Sequence, residues 1–192
     1  MTQLILASSS PFRKAILDKL NLDYQALSPD IDETRLTDES PAAYVARLAR
    51  AKAAALQSHF PTALIIGSDQ TAIINGETIG KPGHYDAAFQ QLSDASGQKI
   101  TFLTGLSLLN SHTGECETDV IPYHVYFRQL TASMIDNYLQ AEQPYNCAGS
   151  FKSEGLGIAL FEKLEGDDPN TLIGLPLIRL IRMLETQGLP II

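Results

Sequence analysis

Eight side chains, Ser8, Ser10, Arg13, Glu33, Lys52, Asp69, Lys81 and Lys152, combine a reactive type with a place at a strand end, on a loop or on a helix's inward face. Near the start, Ser8-Ser9-Ser10 runs straight into Pro11, Phe12, Arg13 and Lys14. Ser10 before Pro11 reads as an N-cap followed by the first helical residue, since proline needs no N–H there and brings a preset φ. The free N–H groups of such a helix start, with the hydroxyls of Ser8 and Ser10, suit an anion. Arg13 and Lys14 then place positive charge where the helix dipole is already positive. An anionic ligand, phosphate above all, would offset that cost. Lys52 stands among Ala51, Ala53, Ala54 and Ala55, four residues after Leu48. These alanines are too small to shield an ammonium, so Lys52 either snorkels or meets an anion. Asp69 follows an apolar run in Gly67-Ser68-Asp69-Gln70, as a metal ligand or general base. Gly80-Lys81-Pro82 adds Lys81 in a stiff loop, without the second glycine or the Ser/Thr of a Walker A motif. The loop Cys147 to Gly155 adds Lys152 and Glu154 among two glycines and two serines. Asp30, Asp32 and Glu33 lie in one polar segment; singly each reads as solvated, together they suit a hard cation such as Mg²⁺.

Arg13, Lys52, Lys81 and Lys152 against Glu33 and Asp69 suit a polyphosphate with a divalent metal. The cations neutralise oxygens and stabilise developing charge. A metal activates water, and a carboxylate accepts its proton. Acyl transfer finds no support: no Ser-His-Asp or Cys-His set is evident and Gly-x-Ser-x-Gly is absent.

These residues need elements to hold them. Leu4 to Ala7 reads as a strand, and Ala63 to Gly67 as a strand covered on both faces. The active groups are then expected just past the strand ends, as in open α/β sheets. Ser40-Pro41 opens a helix to about Ser58, striped by Val45, Leu48, Ala49, Ala55 and Leu56, with Arg47 and Arg50 off the stripe and solvated. Asn75-Gly76 marks a type I′ hairpin over Ile73–Ile79. Further on come a helix Tyr85–Ser96, long strands Lys99–Asn110 and Glu117–Leu130, and a helix capped by Thr131 that stops before Pro144. Pro122 marks the second long strand as partly an edge. Ile158–Phe161 reads as a strand, and a turn at Asp167–Thr171 leads into a last helix striped by Leu177, Leu180, Ile181 and Leu184.

The 192 residues, 44% hydrophobic, suit one large domain or two small lobes. Net charge is −8, from 14 basic and 22 acidic residues, which disfavours nucleic acid as a partner. Cations gathered at one place therefore point to a small anionic ligand. The two cysteines, Cys116 and Cys147, match no metal spacing and fit a reducing compartment. No apolar run is long enough to span a membrane, and the four-residue apolar start has no basic leader, so neither membrane insertion nor secretion is expected.

Ser8-Ser9-Ser10-Pro11-x-Arg13, Lys52 in its alanine-rich helix, Gly67-Ser68-Asp69-Gln70, Gly80-Lys81-Pro82 and Ala148 to Gly155 together resemble the Maf family of nucleotide pyrophosphatases. The resemblance spans nearly the whole chain, in order. It implies a single α/β domain over residues 1–192. That domain would have two lobes around a central twisted mixed sheet with a deep cleft, like the inosine-triphosphate pyrophosphatases. It further implies cleavage of a nucleoside triphosphate to monophosphate and pyrophosphate, a divalent metal (Mg²⁺ or Mn²⁺), a homodimer and a cytoplasmic location. Asp69 would accept the proton. Ser8, Ser10, Arg13, Lys52, Lys81 and Lys152 would bind phosphate, and Glu33 with Asp69 the metal. The branch acting on dTTP and UTP carries Arg, Thr and Gln where this chain has Phe12, Gln70 and Glu154. Those three resemble instead the YceF-like branch, whose implied substrate is 7-methyl-GTP. A 7-methylguanine ring is cationic and stacks on an aromatic face, while Glu154 would accept from the guanine N1 and N2 positions. Phe12 also fits a plainer role, packing on Ile16. Rival expectations are hydrolysis of unmodified nucleotides such as dTTP or UTP, and a non-catalytic nucleotide-binding regulator of septum formation.

Overall fold

A computed structural model describes residues 3–192, and they form a mixed α/β fold on a central mixed sheet. The chain divides into two compact units. One comprises residues up to Gln70, Thr104–Ile121 and Asp168–Ile192; the other comprises Thr71–Leu103 and Pro122–Asp167. Three strands contribute residues to both.

In the first unit, β1 (Gln3–Ala7) pairs in parallel with β2 (Gln25–Leu27) on one side and with β3 (Ala63–Ile74) on the other. β5 (Lys99–Asn110) and β6 (Cys116–Phe127) follow β3 in the sheet order. Alternation along β1 and β3 sends Leu4, Leu6, Leu64 and Ile66 to one face. There they meet Ile16 and Leu17 of helix α1 (Pro11–Leu17) and Leu177, Leu180, Met183 and Leu184 of helix α6 (Leu177–Thr186). Ile5, Ala7, Ala63 and Ile65 go to the other face, with Ala53 of helix α2 (Pro41–Ala55). The continuous apolar run at 63–67 is thus explained by cover on both faces, as expected. Met183 takes the buried place expected of Ile181.

The caps are as the sequence dictates. Ser10 Oγ accepts from Arg13 N, and Ser40 Oγ from Ala43 N, each ahead of a proline at the first helical position. Helix α2 ends at Ala55 rather than near Ser58. A short helix α5 (Pro169–Ile173) precedes α6; Asp168 caps it through Asn170 N and also accepts from Ile178 N, so one buried carboxylate starts both helices.

In the second unit, the Asn75-Gly76 turn, with φ of 48° and 85°, joins β3 to the antiparallel β4 (Glu77–Ile79). Helix α3 (Tyr85–Ala95) and helix α4 (Ala132–Glu142, capped by Thr131) pack against each other, and β7 (Phe161–Glu165) pairs with β6. Phe102, Phe127, Phe151 and Phe161 pack edge to face, with centroids 4.8 to 5.6 Å apart. The expected strand Ile158–Phe161 is not there: Leu156–Leu160 is a 3₁₀ helix and the strand begins at Phe161. Of that short apolar run only Leu160 is buried, while Ile158 stays 54% exposed, so the run never had a sheet face to fill.

Candidate functional site

The first unit gathers four of the expected charged residues. Lys52 comes from α2, Asp69 from β3, Glu33 from the loop before α2 and Arg13 from α1. The Lys52 ammonium donates to Asp69 Oδ1 at 2.7 Å and pairs with Glu33 Oε1 at 2.8 Å. Lys52 and Asp69 are only 7% and 8% exposed, whereas the Glu33 side chain is 56% exposed. Lys52 therefore does not snorkel; it meets two carboxylates at the edge of solvent.

This meeting depends on glycine. A Cβ on Gly67 would stand 2.0 Å from the Ala49 carbonyl oxygen and 2.9 Å from the Ala53 amide. One on Gly105 of β5 would stand 2.2 Å from the Val45 carbonyl oxygen. Only bare backbone at both positions lets α2 lie this close to β3 and β5, and so lets Lys52 reach Asp69. Asp69 lies inside β3, not past its end as expected. β1 stops at the Ala7–Gly67 pair, but β4 and β5 keep β3 extended beyond it. Asp69 thus emerges just where the parallel partner has ended.

Arg13 is fixed from the opposite end of the sequence. Its Nε donates to the Gly174 carbonyl at 2.8 Å, and Ser68 Oγ donates to the same oxygen at 2.9 Å. Burial pushes the guanidinium pKa down, while Asp69 and Glu33 pull it back up. Ser8 Oγ is buried and accepts from Ser10 N, which tightens the turn into α1. Phe12, in the first turn of α1, is 37% exposed. Gln70, expected to set specificity, spends its amide N–H₂ on Thr104 Oγ1 and on the Thr171 carbonyl, both at 2.8 Å. It ties β3 to α5, the element that ends at Gly174.

Glu33 is held by residues the sequence did not single out. Tyr44 O–H donates to the Glu33 carbonyl at 3.0 Å, and Arg47 donates to the Thr34 carbonyl at 3.1 Å. Arg47, expected to be solvated, forks onto both oxygens of Glu39 at 2.6 and 2.8 Å. Tyr44 and Arg47 sit one turn apart on α2, a spacing that was legible, but their acceptors are backbone carbonyls that carry no sequence signal. The Arg47 bond first, then other contacts, holds the Glu39 carboxyl down at about 2. A depressed carboxyl stabilises the fold above its unfolded pKa and loses that contribution as pH falls through its folded one. A side-chain carbon titration by NMR is therefore expected to show Glu39 ionising near 2; a midpoint in the ordinary range, about 4, would mean the loop is not docked.

Among the described residues no three of His, Cys, Asp and Glu gather to hold a metal ion. Asp32 instead accepts from its neighbour Thr34 N. Glu33 and Asp69 remain, two carboxylates sharing one ammonium. That donor set fits Mg²⁺ or Mn²⁺ of the kind completed by substrate phosphates rather than by an all-protein cage.

The second unit holds Lys81, Lys152 and Glu154. All three charges bear on Cys147, whose thiol burial pushes up, leaving it protonated and unsuited to nucleophilic attack. Lys81 and Glu154 are exposed. Lys152 donates to Glu142, by side chain at 3.1 Å and by backbone carbonyl at 3.2 Å, a partner the sequence did not suggest.

The model of the Maf-like protein family matches residues 3–187. A protein of Alcanivorax borkumensis named 7-methyl-GTP pyrophosphatase is 60% identical over 185 residues, 96% of this chain and 94% of its own length. Proteins of the same name from Aliivibrio fischeri and Nitrosococcus oceani are 59% and 56% identical, over 100% and 98% of this chain and 99% and 95% of their own. Two solved structures, a HAM1 protein from Coxiella burnetii and the Ham1 protein of Staphylococcus aureus, align over 66% of this chain and 73% and 72% of theirs. Their TM-scores are 0.46 and 0.45 at 16% and 14% identity, too loose a likeness to support an inference. No described helix is long and apolar enough to cross a membrane.

Proposed function

We propose that this chain, which belongs to the Maf-like protein family, hydrolyses 7-methyl-GTP to 7-methyl-GMP and pyrophosphate. That it is a nucleotide pyrophosphatase rests on relatives so named at more than half identity over nearly full length. One structural observation carries the catalytic part: Asp69, Lys52, Glu33 and Arg13, drawn from four separate segments, meet within one unit with Lys52 already holding both carboxylates.

Arg13 and Lys52 bind phosphate oxygens and stabilise the charge that grows on them in the transition state. Lys81 and Lys152, in the second unit, are further cations for anionic oxygens of the substrate. The Ser8–Ser10 turn orients Arg13 through the Ser10 cap. Asp69, anchored by Lys52 and nearly buried, accepts the proton of the attacking water. A divalent cation held by Glu33 and Asp69 together with the substrate's phosphates would lower the pKa of that water. Phe12 stacks on the cationic methylated ring, and Glu154 accepts from its N1 and N2 hydrogens.

Pyrophosphate release from 7-methyl-GTP, GTP, dTTP and UTP, with Mg²⁺ and with Mn²⁺, tests this reading. A preference for 7-methyl-GTP of about tenfold or more is expected, the scale of a cation–π contact with the charged methylated ring. Equal turnover of dTTP would refute the substrate, and nucleotide binding without release would point to a regulator. Glu154→Gln is expected to erode the preference while kcat on GTP stays within about threefold; an unchanged ratio would remove Glu154 from base recognition.

A further inference from the structure

We propose that Tyr138 and Glu142 form a clamp on α4 that positions the Lys152 ammonium for an anionic oxygen of the substrate. The inference rests on Lys152 as a substrate-binding cation, and it assigns positioning roles to two residues that touch no substrate themselves.

The two residues stand one helical turn apart, so they share a face of α4. Each takes one part of Lys152. The Tyr138 phenol oxygen accepts the Lys152 backbone N–H at 3.1 Å. Glu142 accepts the ammonium twice, through Oε1 at 3.1 Å and through its own carbonyl at 3.2 Å. An ammonium has three N–H donors. Two are committed to Glu142, and the third is left with the side chain 29% exposed. A lysine on a flexible four-carbon stem would otherwise sample many directions; here one donor remains, on an aimed head group.

The loop is built around this grip. Glu142 Oε2 accepts the Leu156 amide at 2.9 Å, which closes the 3₁₀ turn over it. A Cβ on Gly155 would stand 2.9 Å from that same oxygen, and one on Gly157 would stand 2.2 Å from the Lys152 carbonyl. Bare backbone at both positions lets the loop fold onto Glu142. Phe151, the residue before Lys152, is locked edge to face between Phe102, Phe127 and Phe161. Tyr138 is 4% exposed, and burial keeps its phenol protonated. The Leu156 amide and the Lys152 ammonium hold the Glu142 carboxyl below its ordinary range, so the counter-charge persists at neutral pH.

A double-mutant cycle on kcat/KM for 7-methyl-GTP separates positioning from mere support of the loop. Lys152→Ala is expected to lower kcat/KM by about 100-fold and Glu142→Ala by about tenfold, the scale on which a misplaced binding group acts. On the Lys152→Ala background, Glu142→Ala is expected to cost less than about twofold more. Tyr138→Phe, which keeps the ring but loses the acceptor for the Lys152 amide, is expected to cost about threefold with Lys152 present and nothing without it; this cycle decides the matter if Glu142→Ala does not fold. Additive losses would overturn the clamp. Unchanged kcat/KM in Lys152→Ala would overturn both the clamp and the role of Lys152, while wild-type pyrophosphate release would still stand for the reaction.

Discussion

Replacing Asp69 by Asn is expected to lower kcat for 7-methyl-GTP by about 10²- to 10⁴-fold, the range over which removal of a general base acts. The substitution is close to isosteric. An Asn carbonyl still accepts from Lys52, which sits 2.7 Å away, and Glu33 still supplies a counter-charge at 2.8 Å. The fold is therefore expected to survive, with the thermal midpoint shifting by only a few degrees, about one interaction's worth for a chain of this size. The loss is expected in kcat and kcat/KM together, since the proton acceptor acts in the transition state. A kcat within about threefold of wild type would remove Asp69 from that role. A rise in KM alone would leave it as a binding group only.

The second large effect comes from a residue with no chemistry. Gly67→Ala would drive a methyl group to 2.0 Å from the Ala49 carbonyl, and that neighbour is helix backbone rather than a flexible side chain. Helix α2 must lift away from β3. Overpacking of this kind costs about 3 kcal/mol or more where the neighbour cannot yield, a fall of roughly 6 to 12 °C in the thermal midpoint for a chain of this length. The same lift carries Lys52 away from Asp69, so kcat/KM is expected to fall about 100-fold in protein that remains folded. A variant with wild-type activity and an unchanged midpoint would mean that the Gly67 contact does not set the Lys52–Asp69 distance.

What the letters disclosed and what they hid divides along a physical line. Groups whose local signal is steric were legible: the Ser-Pro caps at 10–11 and 40–41, the Asn75-Gly76 turn, and the apolar β1 and β3. Lys52 was legible because a cation on a small-residue stripe has no local excuse. Groups defined by long-range backbone contacts were not. The Gly174 carbonyl that fixes Arg13 lies 161 residues along the chain, and a carbonyl looks the same in every residue. Glu142 reads as one more surface carboxylate at a helix end until Gly155 and Gly157 fold the loop onto it. Gln70 was drawn into substrate choice by resemblance alone, as one of three residues that distinguish the branches. Its bonds to Thr104 and to the Thr171 carbonyl of α5 had no local signal, since strand alternation turns it to the face opposite Asp69. The run at 158–161 misled because apolar residues do not by themselves say whether a sheet face awaits them.

The central claim, that this protein splits a nucleoside triphosphate between its first and second phosphates, is tested most directly by the products. Incubation of wild-type protein with 7-methyl-GTP and Mg²⁺, or with Mn²⁺, followed by ion-exchange chromatography, is expected to yield 7-methyl-GMP and pyrophosphate in equal amounts. Orthophosphate with 7-methyl-GDP, or no product in either metal, would contradict it.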